Sequence, residues 1–180
     1  MSDTALLVID LQVVMFKETV EEGAPIHNAP QVLSNTLQLL TWARKHNHRI
    51  AFIQHNESEG AYKPNNPLWE IEPQLGRLAE SEPVFQKWEG DSFSNPELVE
   101  WIKGVKRVVL VGAQTDYCVN STTEGAVKIG IRDVVVVKDA HSTRDNPREG
   151  ATAVELIEKF NAKWAGLEGV SLVESAFLIR

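Results

Sequence analysis

The chain contains one cysteine, Cys118, and its position suggests chemistry. It follows the apolar run 107–111 by a short turn and stands where a helical pattern begins. Unpaired N–H groups and the helix dipole at such a point favour an anion and lower a thiol pKa. A nearby lysine would act in the same direction and Asp116 would oppose it, while a carboxylate in contact could accept the thiol proton. Cys118 is therefore a candidate nucleophile, the plainer alternative being a small buried hydrophobe. Asp10 ends the run 5–9 and Lys87 follows the run 82–85. The plainer readings are a turn cap for Asp10 and a solvated charge for Lys87. Asp139, at the end of the run 133–138, competes with Asp10.

Bringing such residues together requires a sheet. Near-continuous apolar runs at 5–9, 49–54, 82–85, 107–111, 133–138 and 170–173 have strand length. Helical spacing recurs between them. Asn28 and Pro30 open a helix carrying Val32, Leu33, Leu37, Leu40 and Ala43; 96–103 and 117–129 follow; 150–165 places Val154, Ile157, Phe160 and Trp164 on one face. Uniformly apolar strands alternating with helices predict a parallel sheet covered on both faces. The expected fold is α/β: a three-layer α/β/α sandwich with a mostly parallel, Rossmann-like open sheet, in one domain over 1–180. Such sheets bind ligands beyond the carboxyl ends of their strands, where Asp10, Lys87 and Cys118 are all expected. The Gly/Pro/Asn-rich stretch 57–73 reads as a long functional or interfacial loop.

Composition narrows the partners. Hydrophobic residues are 43%, charged residues 24%, and the net charge is −7. With basic residues scattered, neither nucleic acid nor a membrane is expected as a partner; a small-molecule substrate is. The cluster Arg44, Lys45, His46 sits where a helix should end and complements its dipole. The opening apolar run lacks a basic leader, and one cysteine cannot form an internal disulfide, so a cytoplasmic location is expected.

The motifs Leu7-Val8-Ile9-Asp10-Leu11-Gln12, Pro83-Val84-Phe85-Gln86 before Lys87, and Gly112-Ala113-Gln114-Thr115-Asp116-Tyr117-Cys118-Val119 together resemble the isochorismatase-like cysteine hydrolases. Trp69-Glu70-Ile71, Ser92-Phe93 and Asp139-Ala140-His141-Ser142-Thr143 extend the likeness over nearly the whole chain, in order. The resemblance implies an Asp10–Lys87–Cys118 triad, in which Cys118 attacks a carbonyl to give a thioester, Asp10 moves the proton and Lys87 stabilises the thiolate. It further implies a cis peptide at Ala113–Gln114 and an oxyanion hole formed by the backbone N–H groups of Gln114 and Cys118. A homodimer or homotetramer is also implied.

Departures from the family's branches narrow the expectation. Nicotinamidases carry an Asp-x-His metal motif where this chain reads Gln54-His55-Asn56-Glu57, so no metal and no cofactor is expected. Siderophore-pathway isochorismatases replace the cysteine, which is kept here. What remains resembles the metal-free amidohydrolase branch, related to nicotinamidases and to N-carbamoylsarcosine amidohydrolase, which cleaves amide, carbamoyl or ureido bonds. Phe16, Trp69, Trp88 and Tyr117 are the candidate substrate contacts, with Trp69 able to come from a neighbouring subunit. The alternative is a catalytically silent binding or redox-sensing member of the fold, although no second cysteine is present to resolve an oxidised Cys118. His141, Ser142 and Asp145 have the residue types of a serine triad but lie too close in sequence for its geometry.

Overall fold

Six successive residues, Thr4–Ile9, form β1, and all six are buried. This follows from their place in the sheet, because β1 pairs on one side with β2 (Arg49–His55) and on the other with β4 (Arg107–Ala113). The computed structural model describes residues 2–180. With β3 (Val84–Lys87), β5 (Asp133–Ser142) and β6 (Val170–Val173), the sheet order is β3-β2-β1-β4-β5-β6, and every pairing is parallel. The five helices are α1 (Ala29–Lys45), α2 (Pro96–Trp101), α3 (Asn120–Lys128), α4 (Ala153–Ala165) and α5 (Ser175–Leu178).

Side chains alternate across the pleat, and so build two cores. Leu6, Val8, Phe52, Val109 and Val111 pack with Val32, Leu39 and Leu40 of α1, with Leu178 of α5 against them. Ala5, Leu7, Ile9, Val108, Leu110 and Val134 face the opposite layer and meet Leu98 of α2, Ala126 of α3 and Trp164 of α4. Each fully buried Leu, Ile or Val contributes about 1.5–3 kcal/mol. The result is the expected three-layer α/β/α sandwich.

Several elements differ from the sequence reading. The third strand lies two residues later than 82–85, so Lys87 is its last residue and pairs in register with His55. The fifth runs past 138 to Ser142, because a bulge absorbs the polar Lys138–Asp139 pair and brings His141 beside Gly112. A π-helical turn, Thr115–Val119, precedes α3, so Cys118 sits in that turn and not in a regular helix. In α4, Thr152 forms a capping box with Glu155, and Val154 is exposed. Arg44, at the end of α1, forms a two-pronged pair with buried Glu82 at 2.7 and 2.9 Å in addition to any dipole role.

Gly112 pairs with Ile9 at the end of β1, where the two backbones leave no room for a side chain. Its φ is +130°, and a Cβ there would stand 2.0 Å from the Ile9 carbonyl oxygen. Gly104 has φ +79° but open space around it. Gly112→Ala is therefore expected to cost about 3 kcal/mol or more and Gly104→Ala about 1 kcal/mol in urea unfolding, the difference being the clash with backbone.

Candidate active site

The end of β1 delivers the first functional side chain. Asp10 adopts a left-handed backbone, φ 48°, and its carboxylate is almost fully buried. β3 delivers the second: the Lys87 side chain has no exposed area. The turn after β4 delivers the third. The Ala113–Gln114 peptide is cis, and the Gln114 carbonyl accepts the N–H groups of Tyr117 (3.2 Å) and Val119 (3.1 Å), closing the turn that carries Cys118.

The three converge. Lys87 Nζ donates to Asp10 Oδ2 at 2.8 Å and to Cys118 Sγ at 3.1 Å, and lies 3.4 Å from His55 Nδ1. An ammonium has three donors and accepts nothing, so His55 Nδ1 must be the acceptor and its proton sits on Nε2. That nitrogen faces Glu57 Oε1 at 3.4 Å. Among the described residues, Asp10 Oδ1 is buried without a partner. It is the oxygen free to take a proton.

Electrostatics correct one expectation, that the helix start lowers the Cys118 thiol pKa. Burial, then the Asp10 charge, hold the thiol well above its ordinary range, and Lys87 opposes them without prevailing. Burial works most strongly against the Lys87 charge, but the Asp10 carboxylate and Cys118, with the hydrogen bonds to both, together outweigh it and keep the ammonium protonated. Burial and then Lys87 lower the His55 pKa, which keeps it neutral. Around Asp10 the resting set is thus ammonium, thiol and neutral imidazole. The thiol must lose its proton as it attacks.

Donor atoms of Asp10, His55 and Cys118 lie within 4.8 Å of one another, close enough to hold a metal ion. All three already surround Lys87 Nζ, whose charge takes the place of a cation there.

A cavity of about 320 Å³ opens onto Cys118 and Asp10, lined also by Met15, Glu22, His55 and Tyr62. Tyr117 lines it as well. The other expected aromatic contacts do not. Phe16 packs on the α1 core, because the short turn Val13–Phe16 presents Met15 to the cavity instead. Trp88 lies in the bend after β3, is 60% exposed and does not line the cavity. Trp69 is buried within its own chain, with its indole N–H donating to Asn56 Oδ1 at 2.8 Å, so it is not an exposed interface residue.

Supporting residues complete the site. Gln12 donates to the carbonyls of Trp69 (2.7 Å) and His55 (3.1 Å) and accepts the His55 N–H, clipping the 57–73 loop to the end of β2. Asp139 accepts from Asn35 and Ser175, which ties β5 to α1 and α5 and removes it as a rival to Asp10. His141 lies behind the Cys118 turn, between Thr115 Oγ1 (2.9 Å) and Asn161 Oδ1 (3.1 Å). Ser142 donates to the His27 carbonyl and Asp145 accepts the Ala153 N–H, so these three form no triad.

The isochorismatase domain family matches residues 4–168. The chain belongs to this family. A streptothricin hydrolase from Streptomyces noursei is 30% identical over 96% of this chain, which spans only 62% of that protein's length. The secreted isochorismatase effector Isc1 of Verticillium dahliae is 32% identical over 96% of this chain and 88% of its own. The structure of a cysteine hydrolase from Pseudomonas syringae pv. phaseolicola 1448A, 18% identical, covers 99% of this chain and 91% of its own with TM-score 0.87, and so shares the fold. No helix among the described residues is long and apolar enough to cross a membrane.

Two predictions follow from these charges. Asp10→Asn removes the charge that, after burial, most opposes the thiolate. Alkylation of Cys118 at pH 7.5 should then speed up about tenfold, one pKa unit of relief, while hydrolysis is lost; slower alkylation would contradict the assignment. Burial holds His141 at about 4, below the ordinary value near 6.5. Above pH 6.5 folded and unfolded chains both carry neutral imidazole. Between 6.5 and 4 only the unfolded chain takes up the proton, so stability falls with pH by up to about 3 kcal/mol. Urea unfolding at pH 6.5, 5 and 4 should show this slope, and His141→Gln should flatten it.

Proposed function

We propose that this protein is a cysteine hydrolase that cleaves a carbon–nitrogen bond of a small amide, carbamoyl or ureido compound through a thioester on Cys118. The observation that carries the reading is the Lys87 ammonium, held between Asp10 at 2.8 Å and Cys118 at 3.1 Å, both of which line a cavity. The name of the streptothricin hydrolase relative supports a hydrolytic role.

In the proposed mechanism Cys118 Sγ attacks the carbonyl carbon while its proton passes to Asp10 Oδ1. Lys87 stabilises the sulfur as negative charge develops on it. The backbone N–H groups of Gln114 and Cys118 receive the oxyanion. Collapse of the tetrahedral intermediate breaks the carbon–nitrogen bond, and Asp10 returns the proton to the leaving nitrogen. A water molecule, deprotonated by Asp10, then hydrolyses the thioester and frees the acid and the thiol. Neutral His55 adds no charge and fixes the third hydrogen of Lys87. Assembly into a dimer or tetramer and a cytoplasmic location belong to the same proposal, the latter resting on a lone thiol that must stay reduced.

The test is amine or ammonia release from a panel of small amides, ureido acids and carbamoyl compounds, with intact-mass analysis of acid-quenched samples. An acyl adduct on Cys118, absent in Cys118→Ala together with all turnover, is the expected result. Turnover that survives Cys118→Ala would overturn the reading. Lys87→Met should lower kcat by at least about a thousandfold, as expected when a preorganised charge at the reacting atom is lost.

A further inference from the structure

The same cavity carries information about what it binds. Beyond Asp10, its lining includes two more carboxylates, Glu22 and Glu57, and no lysine or arginine among the described residues. Two cations close to it are already committed, while Arg148 lines a separate pocket beside it that shares Glu22, Gln114 and Tyr117. Lys87 is wholly buried, with its donors on Asp10, Cys118 and His55. Arg144 lies behind Glu22, spending Nε on the Ala24 carbonyl, Nη2 on the Val14 carbonyl and Nη1 on Glu22 Oε2 at 3.2 Å.

Glu22 thus has one oxygen neutralised from behind. Burial, opposed by Arg144, combines with the charges of Glu57 and Glu21 to raise its pKa, so the ionised form is one that an incoming cation would relieve. Glu57 is 54% exposed and meets only the edge of neutral His55. Tyr62, whose hydroxyl points to Glu22 Oε2, and Tyr117 add aromatic surface on which a cation can rest. Asp10, whose Oδ1 is buried and without a partner among the described residues, lines the same cavity, so this wall borders the reacting groups themselves.

We infer that the substrate is a cation: a small molecule carrying an ammonium or guanidinium group that lies between Glu22 and Glu57 while its carbonyl faces Cys118. This rests on the hydrolase reading for the word substrate. The charge preference of the cavity can be measured without turnover. An anionic substrate would meet Glu22, Glu57 and Asp10 with no free cation in the lining to receive it, and like charges in a half-buried cavity repel strongly.

Cys118 is the only thiol in the chain, so it reports directly on the cavity. The experiment compares its rate of modification by two methanethiosulfonates of similar size, one ending in trimethylammonium and one in sulfonate, each rate divided by that for a free thiol in solution. The expected result is at least a tenfold preference for the cation, shrinking with added salt as the exposed Glu57 is screened. Glu22→Gln/Glu57→Gln should remove most of that preference, and Glu57→Lys should reverse its direction. Equal normalised rates, or a preference unchanged in the double variant, would overturn the inference. A second arm measures hydrolysis of amides matched in length and ending in ammonium, hydroxyl or carboxylate. Faster cleavage of the ammonium member, expressed mainly in KM, is expected, and equal cleavage of all three would also overturn it. Clear cation selectivity in labelling with no amide cleaved would leave the charge preference standing and count against the hydrolase reading instead.

Discussion

A fully buried ammonium is the constraint on which the rest of this site depends. Moving a lysine charge out of water costs several kcal/mol unless every proton finds an acceptor. The acceptors for Lys87 come from three separate places: Asp10 after β1, His55 at the end of β2, and Cys118 in the turn after β4. Satisfying one charge therefore fixes three strand ends against one another. The parallel register supplies the starting point, because it sets His55 beside Lys87 and Ile9 beside Gly112. The glycine allows β4 to close on β1, and the turn beyond it presents the thiol to the ammonium.

The same charge sets the chemistry. Asp10 holds Lys87 as a charged ammonium, and even so the thiol stays protonated. A protonated thiol beside a free carboxylate oxygen is inert until a carbonyl arrives. This also explains why a lone cysteine in a solvent-accessible cavity need not be a reactive one. Gln12 and Trp69 serve the arrangement from behind, pinning the long loop to the sheet so that His55 keeps its orientation.

Much of this was legible in the sequence, and the reason is physical. Apolar runs alternating with helices specify a parallel sheet, and a parallel sheet places Asp10, Lys87 and Cys118 on one edge whatever the loops do. His55 is reached by the same argument, since it ends a strand next to Lys87, but a lone histidine among polar neighbours does not separate a structural hydrogen bond from a substrate contact. Phe16, Trp69 and Trp88 misled because aromatic type says nothing of direction. Trp69 finds a buried acceptor in Asn56, Trp88 is exposed in the bend after β3, and the turn at 13–16 presents Met15 instead of Phe16. Glu22 and Tyr62 reach the cavity from loops whose course no periodicity encodes. The thiol pKa was misjudged because the helix-start argument ignores burial and the facing carboxylate, which dominate here.

The central claim is that Asp10 holds Lys87 as a buried ammonium. Its most direct test is a ¹³C NMR titration of the Lys87 Cε in the unaltered protein and in Asp10→Asn, with far-UV circular dichroism confirming that both are folded. A lysine that stays protonated through pH 10 in the first and loses its proton at a lower pH in the second is the predicted result. A Lys87 that titrates alike in both would contradict the account.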